Sequence, residues 1–239
     1  MDLRKENWTE NDYRELLLWL ESVAQPAYRD FQSGLIPNPP PMLGIRIPVL
    51  RKMAAEISQG NPLSFLACAD WRGNLYEETV LEGLVIGRLR LPYPEWMEKI
   101  RRFVSKIDNW AVNDVFCSSL KGMRKYSSLF WTDCDVFLQS PNPWEQRFGL
   151  VMLMSYYLEP DTIDAVLQKV LETDTPFYYV MMARAWLIAT AFAKFREPVL
   201  RLLESRQLDA ATQNKAIQKI RESFRVSPED KQLVLSLKI

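Results

Sequence analysis

The sequence predicts an all-α chain, a helical-repeat solenoid, and three observations carry that reading. Glycine is scarce, eight in 239 residues, so the tight turns of a β-sandwich or a wound α/β sheet have little to build on. Apolar residues recur at three- and four-residue spacing along most of the length. The periodic stretches start at helix-initiation signals: proline just inside, or Asp, Asn or Ser just before, as at Asn61-Pro62, Asn142-Pro143, Glu159-Pro160-Asp161, Glu197-Pro198 and Ser227-Pro228.

Taken in order, periodicity predicts helices over 11–24 and 26–34, then a break at the proline-rich stretch 35–46, which cannot continue a helix and is stiff. That stretch reads as a rigid connector or as a ligand-contacting loop, and Gly44 and Arg46 at its exit suit either role. Helices follow over 48–59, 62–70 behind the Asn61 cap, 76–88 and 93–106. The next, 109–122, opens on Asp108-Asn109, and another covers 126–138. Beyond it come 143–157, 160–172, the nearly all-apolar 177–195, then 197–206, 209–224 and 228–238. Antiparallel helix pairs recurring about every 40 residues without strong internal identity describe a HEAT-like solenoid with a concave face. A compact bundle has equally short loops. No composition shift divides the chain, so one domain over 1–239 is expected.

Composition excludes much ordinary enzymology. With no histidine, imidazole bases and most zinc sites are ruled out, and neither a metal nor a cofactor is expected. Cys68, Cys117 and Cys134 lack CxxC spacing and read as small buried apolar residues in a reducing compartment. The charged N-terminus and the shortness of the longest apolar run predict a cytoplasmic chain with no membrane contact, and a monomer is the default expectation. Thirty basic residues balance thirty acidic ones, which argues against binding nucleic acid by bulk charge. Locally the balance shifts: residues 176–239 hold eleven Lys or Arg against six Asp or Glu, a net +5.

The helix predicted over 109–122 carries chemistry. At 100° per residue Val112, Val115, Phe116, Leu120 and Met123 gather into one apolar stripe, while Trp110, Asp114, Cys117 and Lys121 fall opposite. Trp110 precedes Asp114 by one turn, so an aromatic plane and a carboxylate point the same way, about 6 Å apart. Such a pair suits a flat, cationic ligand.

Asp108-Asn109-Trp110 with Asp114, then Pro143-Trp144-Glu145-Gln146-Arg147-Phe148-Gly149, then Ala185-Trp186, and last Asn214-Lys215-Ala216-Ile217-Gln218-Lys219, resemble the AlkD-like family of bacterial DNA alkylation repair glycosylases. The likeness runs from Leu43-Gly44-Ile45 to the basic C-terminal helices. It implies a HEAT-like solenoid that cradles duplex DNA and, in base excision repair, hydrolyses the N-glycosidic bond of cationic N3- and N7-alkylated purines without flipping the base. It makes Asp114 the catalytic carboxylate, Trp110 and Trp186 the aromatic walls beside the lesion, and Arg147 a partner to the nearby backbone. Arg46, Lys121, Lys215 and Lys219 would then hold phosphates of duplex DNA in a nucleoid-associated protein.

The residues taken alone leave more open. Arg147 flanks an apolar face of Trp144, Phe148 and Val151, with its guanidinium expected to reach outward to a phosphate or to a salt bridge. Pattern alone places Trp186 in the core. Trp8, Trp19, Trp71, Trp96, Trp131 and Trp144 read as packing residues. Asp114 serves an oxocarbenium-like sugar electrostatically, or orients and deprotonates water; both roles stay open. The segment before Leu43 departs from the family, where a tyrosine beside a short helix turn is expected and Phe31-Gln32 stands instead. Two rival readings are a non-catalytic paralogue that binds distorted DNA and a helical scaffold for proteins.

Overall fold

The computed structural model describes residues 1–68, 73–173 and 175–239, so Trp71 and the end of the helix expected to reach residue 70 lie outside the described residues. Fourteen α-helices and no strand occur among those residues. They run α1 (Glu10–Ser22), α2 (Pro26–Ser33), α3 (Ile47–Ile57), α4 (Pro62–Ala67), α5 (Tyr76–Ile86), α6 (Tyr93–Val104) and α7 (Trp110–Ser119). After a 3-10 turn at Lys121–Tyr126 come α8 (Ser127–Leu138), α9 (Pro143–Tyr156), α10 (Ile163–Glu172), α11 (Tyr178–Phe192), α12 (Arg196–Ser205), α13 (Ala210–Glu222) and α14 (Pro228–Leu235). The chain forms two compact units, Met1–Gly122 and Met123–Ile239.

Each predicted helix has its counterpart, and the ends differ where local bonds stop the helix sooner. Thr162 donates its hydroxyl to Tyr157 O at 2.5 Å, so residues 160–162 form a turn and α10 starts at Ile163. At the C-terminus Gln213 donates to Leu237 O at 2.7 Å and Asn214 to Ile239 O at 2.7 Å, which ties down the last residues after α14 has ended. Side-chain caps open several helices: Thr9 on α1, Asn61 on α4, Asn109 on α7, Asn142 on α9, Asp209 on α13 and Ser227 on α14. Each such cap stabilises by about 0.5–2 kcal/mol.

In the first unit α3, α5 and α7 lie side by side as one row, with α4 and α6 against α5. Phe103 and Phe116 meet at 4.5 Å between ring centres, and Trp96, 2% exposed, donates its indole N–H to Ile86 O at 2.8 Å. The proline-rich segment is held at several points. The buried Glu77 carboxylate accepts from the backbone N–H of Leu43 (3.1 Å), Gly44 (2.8 Å) and Ile45 (3.1 Å), while Tyr76 N–H donates to Pro41 O at 2.9 Å. Gly44 is required there: its φ is +83°, and a Cβ would stand 2.4 Å from Gln25 O. The clamp fixes the exit of the segment and hence the start of α3, where Arg46 sits.

In the second unit α9, α11 and α13 form a comparable row, backed by α8 on α9, α10 and α12 on α11, and α14 on α13. Phe137 packs edge-on against Phe148 at 4.8 Å. Arg184 of α11 is 2% exposed and satisfied: it donates to Val170 O at 3.0 Å and to Asp209 at 2.9 Å. One of the cations in the basic C-terminal quarter is therefore structural. Cys68, Cys117 and Cys134 are free and buried, as the sequence predicts.

Candidate functional site

The N-cap Asn109 starts α7 by accepting from Val112 N–H at 3.0 Å, and this places Trp110 in the first turn and Asp114 one turn later. Burial does not follow the expected stripe in full. Cys117, assigned to the outward side, is 0% exposed, whereas Val115, assigned inward, is half-buried. The reason is that α7 is covered on more than one side: Ala111, Val112, Asn113, Phe116, Cys117 and Leu120 are all buried. Trp110, Asp114, Val115, Ser118 and Ser119 stay at least partly exposed, and of these Trp110, Asp114 and Ser118 follow at successive turns of one face, with Lys121 exposed just beyond the helix.

Asp114 is half-buried and accepts a hydrogen bond at 3.0 Å from the side-chain amide of Asn113, itself 0% exposed. Sequence reasoning missed Asn113. A polar residue between Val112 and Val115 is its one signal: a buried amide beside a carboxylate is retained where it sets an orientation. The indole N–H of Trp110 donates to Leu35 O at 3.1 Å, tying the beginning of the proline-rich segment to α7.

A tyrosine, Tyr28, stands in the short helix α2. Tyr28 is half-buried, and the Arg46 guanidinium lies over its ring at 4.6 Å while donating to Gln25 at 3.1 Å. The phenol of Tyr76 lies in the same neighbourhood. Burial, and then the nearby Tyr28, Glu77 and Asp114, push its pKa well above the ordinary tyrosine value, against a hydrogen bond with Gln32. Tyr76 is neutral there, and Arg46 is the cation nearest Tyr28 that the geometry identifies.

In the second unit, Trp186 overturns the pattern-based expectation of a core residue: it is 38% exposed in the middle of a helix whose neighbours Ala183, Ala185, Leu187 and Ile188 are buried. The row packing explains it. With α9 on one side, α13 on the other and α10 and α12 behind, Met182, Trp186 and Thr190 form a stripe that escapes burial beyond the first turn of α11. Trp186 lines an open cavity of about 510 Å³ together with Met154, Thr190, Lys219, Glu222 and Arg225. Lys215, one turn before Lys219 on α13, bonds Gln218 at 2.8 Å and is not among the residues lining that cavity.

Arg147 does not reach outward as expected. It is 5% exposed and donates to Tyr179 O at 2.6 Å, at the start of α11. Trp144 stacks on Tyr179 and meets Phe177 edge-on, each at 5.3 Å, so aromatic packing covers the flank from which Arg147 was to emerge. Of the other tryptophans, Trp8 and Trp96 are buried and Trp19, Trp131 and Trp144 half-buried.

An all-α chain whose helices pack in rows of this kind belongs to the class of helical-repeat solenoids. The particular family follows from comparison: a family model described as DNA alkylation repair enzyme matches residues 16–178, more than half of the chain. The chain belongs to that family. Its general role is therefore DNA repair, with DNA as the macromolecule it meets. No curated protein and no solved structure matches. Among the described residues no helix is long and apolar enough to cross a membrane.

Proposed function

We propose that the protein is a monofunctional, metal-independent DNA glycosylase that hydrolyses the N-glycosidic bond of cationic N3- and N7-alkylated purines in duplex DNA. The observation that carries this reading is the uncovered face of α7, where Asp114, oriented by Asn113, follows Trp110 by one turn. A purine alkylated at N3 or N7 is a charged leaving group, so the bond to be broken is already weak and the sugar develops oxocarbenium character. No acid is required to protonate the base. A carboxylate about 4 Å from the cationic carbon contributes about 4 kcal/mol at an effective dielectric near 20, roughly a thousandfold in rate.

In this reading Trp110 stands beside the lesion nucleotide, which is cleaved while still stacked, and Trp186 offers a second aromatic face to the DNA from the other unit, each worth about 0.5–2 kcal/mol where it meets a cationic group. Arg46, Lys121, Lys215 and Lys219 hold backbone phosphates. Arg147 takes a different part from the one expected of it. By holding Tyr179 O it fixes the start of α11, two turns before Trp186, and so acts as a positioning residue.

The test measures release of 7-methylguanine from a duplex oligonucleotide by the wild type and by Asp114→Asn, with binding to the same duplex recorded for both. Excision that drops about a thousandfold with binding retained supports the assignment. Binding by both with excision by neither makes the chain a recognition module that lacks catalysis.

A further inference from the structure

The row of α3, α5 and α7 has a second polar region at the end away from Trp110. There the C-terminal turns of the three helices open into a cleft of about 1070 Å³ within the first unit. Arg51 enters it from α3, Arg88 and Arg90 from just beyond α5, and Lys121 from just beyond α7; Glu6 is the acidic residue lining it. Arg51 donates to the Ser118 hydroxyl at 2.7 Å, which docks its guanidinium on the same face of α7 that carries Asp114. Arg88, Arg90 and Lys121 are exposed and, among the described residues, their side chains form no hydrogen bond or ion pair. Elsewhere Arg14, Arg196, Arg201 and Lys106 each meet a carboxylate.

The negative ends of three helices favour cations at this place, by about 0.3–1 kcal/mol each, and offset part of the repulsion among four of them. They supply no counter-charge that moves with the side chains. A run of phosphodiesters does, and guanidinium forks match phosphate oxygens two at a time. The ten residues of α7 make the cleft about 15 Å distant from Trp110 along the helix, a span of about four base-pair rises of 3.4 Å. We infer that this cleft is a second DNA site, which grips the phosphate backbone of the duplex away from the lesion and sets its register along α7. The inference rests on DNA being the ligand, as the family gives, and not on Asp114 being catalytic.

The experiment compares wild type with Arg88→Ala/Arg90→Ala, both exposed positions whose loss leaves the core intact, and follows binding to an undamaged duplex over a range of salt. The slope of log Kobs against log salt is expected to become shallower by about 1.8, or 0.9 for each phosphate contact removed. Lys99→Ala/Arg102→Ala on α6 removes the same charge outside the cleft and is expected to leave the slope unchanged. An unaltered slope in the cleft variant, or an equal change in the α6 control, overturns the proposal. If the wild type binds but excises nothing, the glycosylase reading fails while this binding comparison still decides the cleft.

Discussion

At the residue scale the two well-placed tryptophans separate function from packing. Trp96 is 2% exposed with its indole N–H bonded to Ile86 O, whereas Trp186 is 38% exposed beside Lys219 in an open cavity. Trp96→Ala is expected to cost about 3–5 kcal/mol, the range for a large buried aromatic. Trp186→Ala is expected to cost less, about 1–2 kcal/mol, because the side chain is 38% exposed and its removal empties only part of a packed site. Its deficit is expected in excision of 7-methylguanine, by roughly two- to thirtyfold for 0.5–2 kcal/mol of lost cation–π attraction. Urea melts of both variants, with single-turnover excision by Trp186→Ala, check the pair. Arg147→Ala makes the opposite case. It strips a buried donor from Tyr179 O, so we expect about 1–3 kcal/mol of destabilisation, visible in the same urea melts.

At the element scale the α7 face was legible because Trp110 and Asp114 are one turn apart on a single helix. Trp186 was not legible from pattern, since α11 is apolar nearly all round and the exposure of Trp186 is set by which helices pack beside it. Arg147 was misread for a related reason: its burial comes from Phe177 and Tyr179, some thirty residues further along the chain. The Glu77 clamp on Leu43, Gly44 and Ile45 likewise spans more than thirty residues and leaves no local mark. Helix starts were the most readable feature, because caps act within three residues. The start of α1 shows their energetics. Asp12 reaches back to Thr9 N–H at 2.9 Å and pairs with Lys5 at 2.6 Å. The hydrogen bonds from Lys5 and then Thr9 hold its carboxyl at about 2, below the ordinary 3.8. Because the folded value is the lower one, the stabilisation is present above about pH 4 and is lost as pH falls toward 2. Asp12→Asn is expected to be about 1 kcal/mol less stable than wild type at pH 7, with solvent screening counted, and equal to it near pH 2. Urea midpoints at the two pH values measure this.

At the scale of the whole molecule the charge balance poses the sharpest question. Thirty cations against thirty anions describe a chain that bulk electrostatics would not drive onto DNA. The structure sorts those charges unequally, however: many surface cations are paired with carboxylates, while those of the α7 end and the Trp186 cavity line open space. Net charge governs distant steering, but counterion release depends only on the phosphates that are neutralised in contact. If Arg46, Lys121, Lys215 and Lys219 each hold one phosphate, log Kobs for an undamaged duplex should fall with log salt at a slope of about −3.6, despite the zero net charge. The cleft cations Arg88 and Arg90 would steepen it further. A helical scaffold for proteins, the reading that zero net charge favours, predicts a slope near zero with the same duplex. Fluorescence anisotropy of labelled DNA over a salt series separates the two, because one protein surface cannot be both indifferent to phosphate and steeply salt-dependent in binding it.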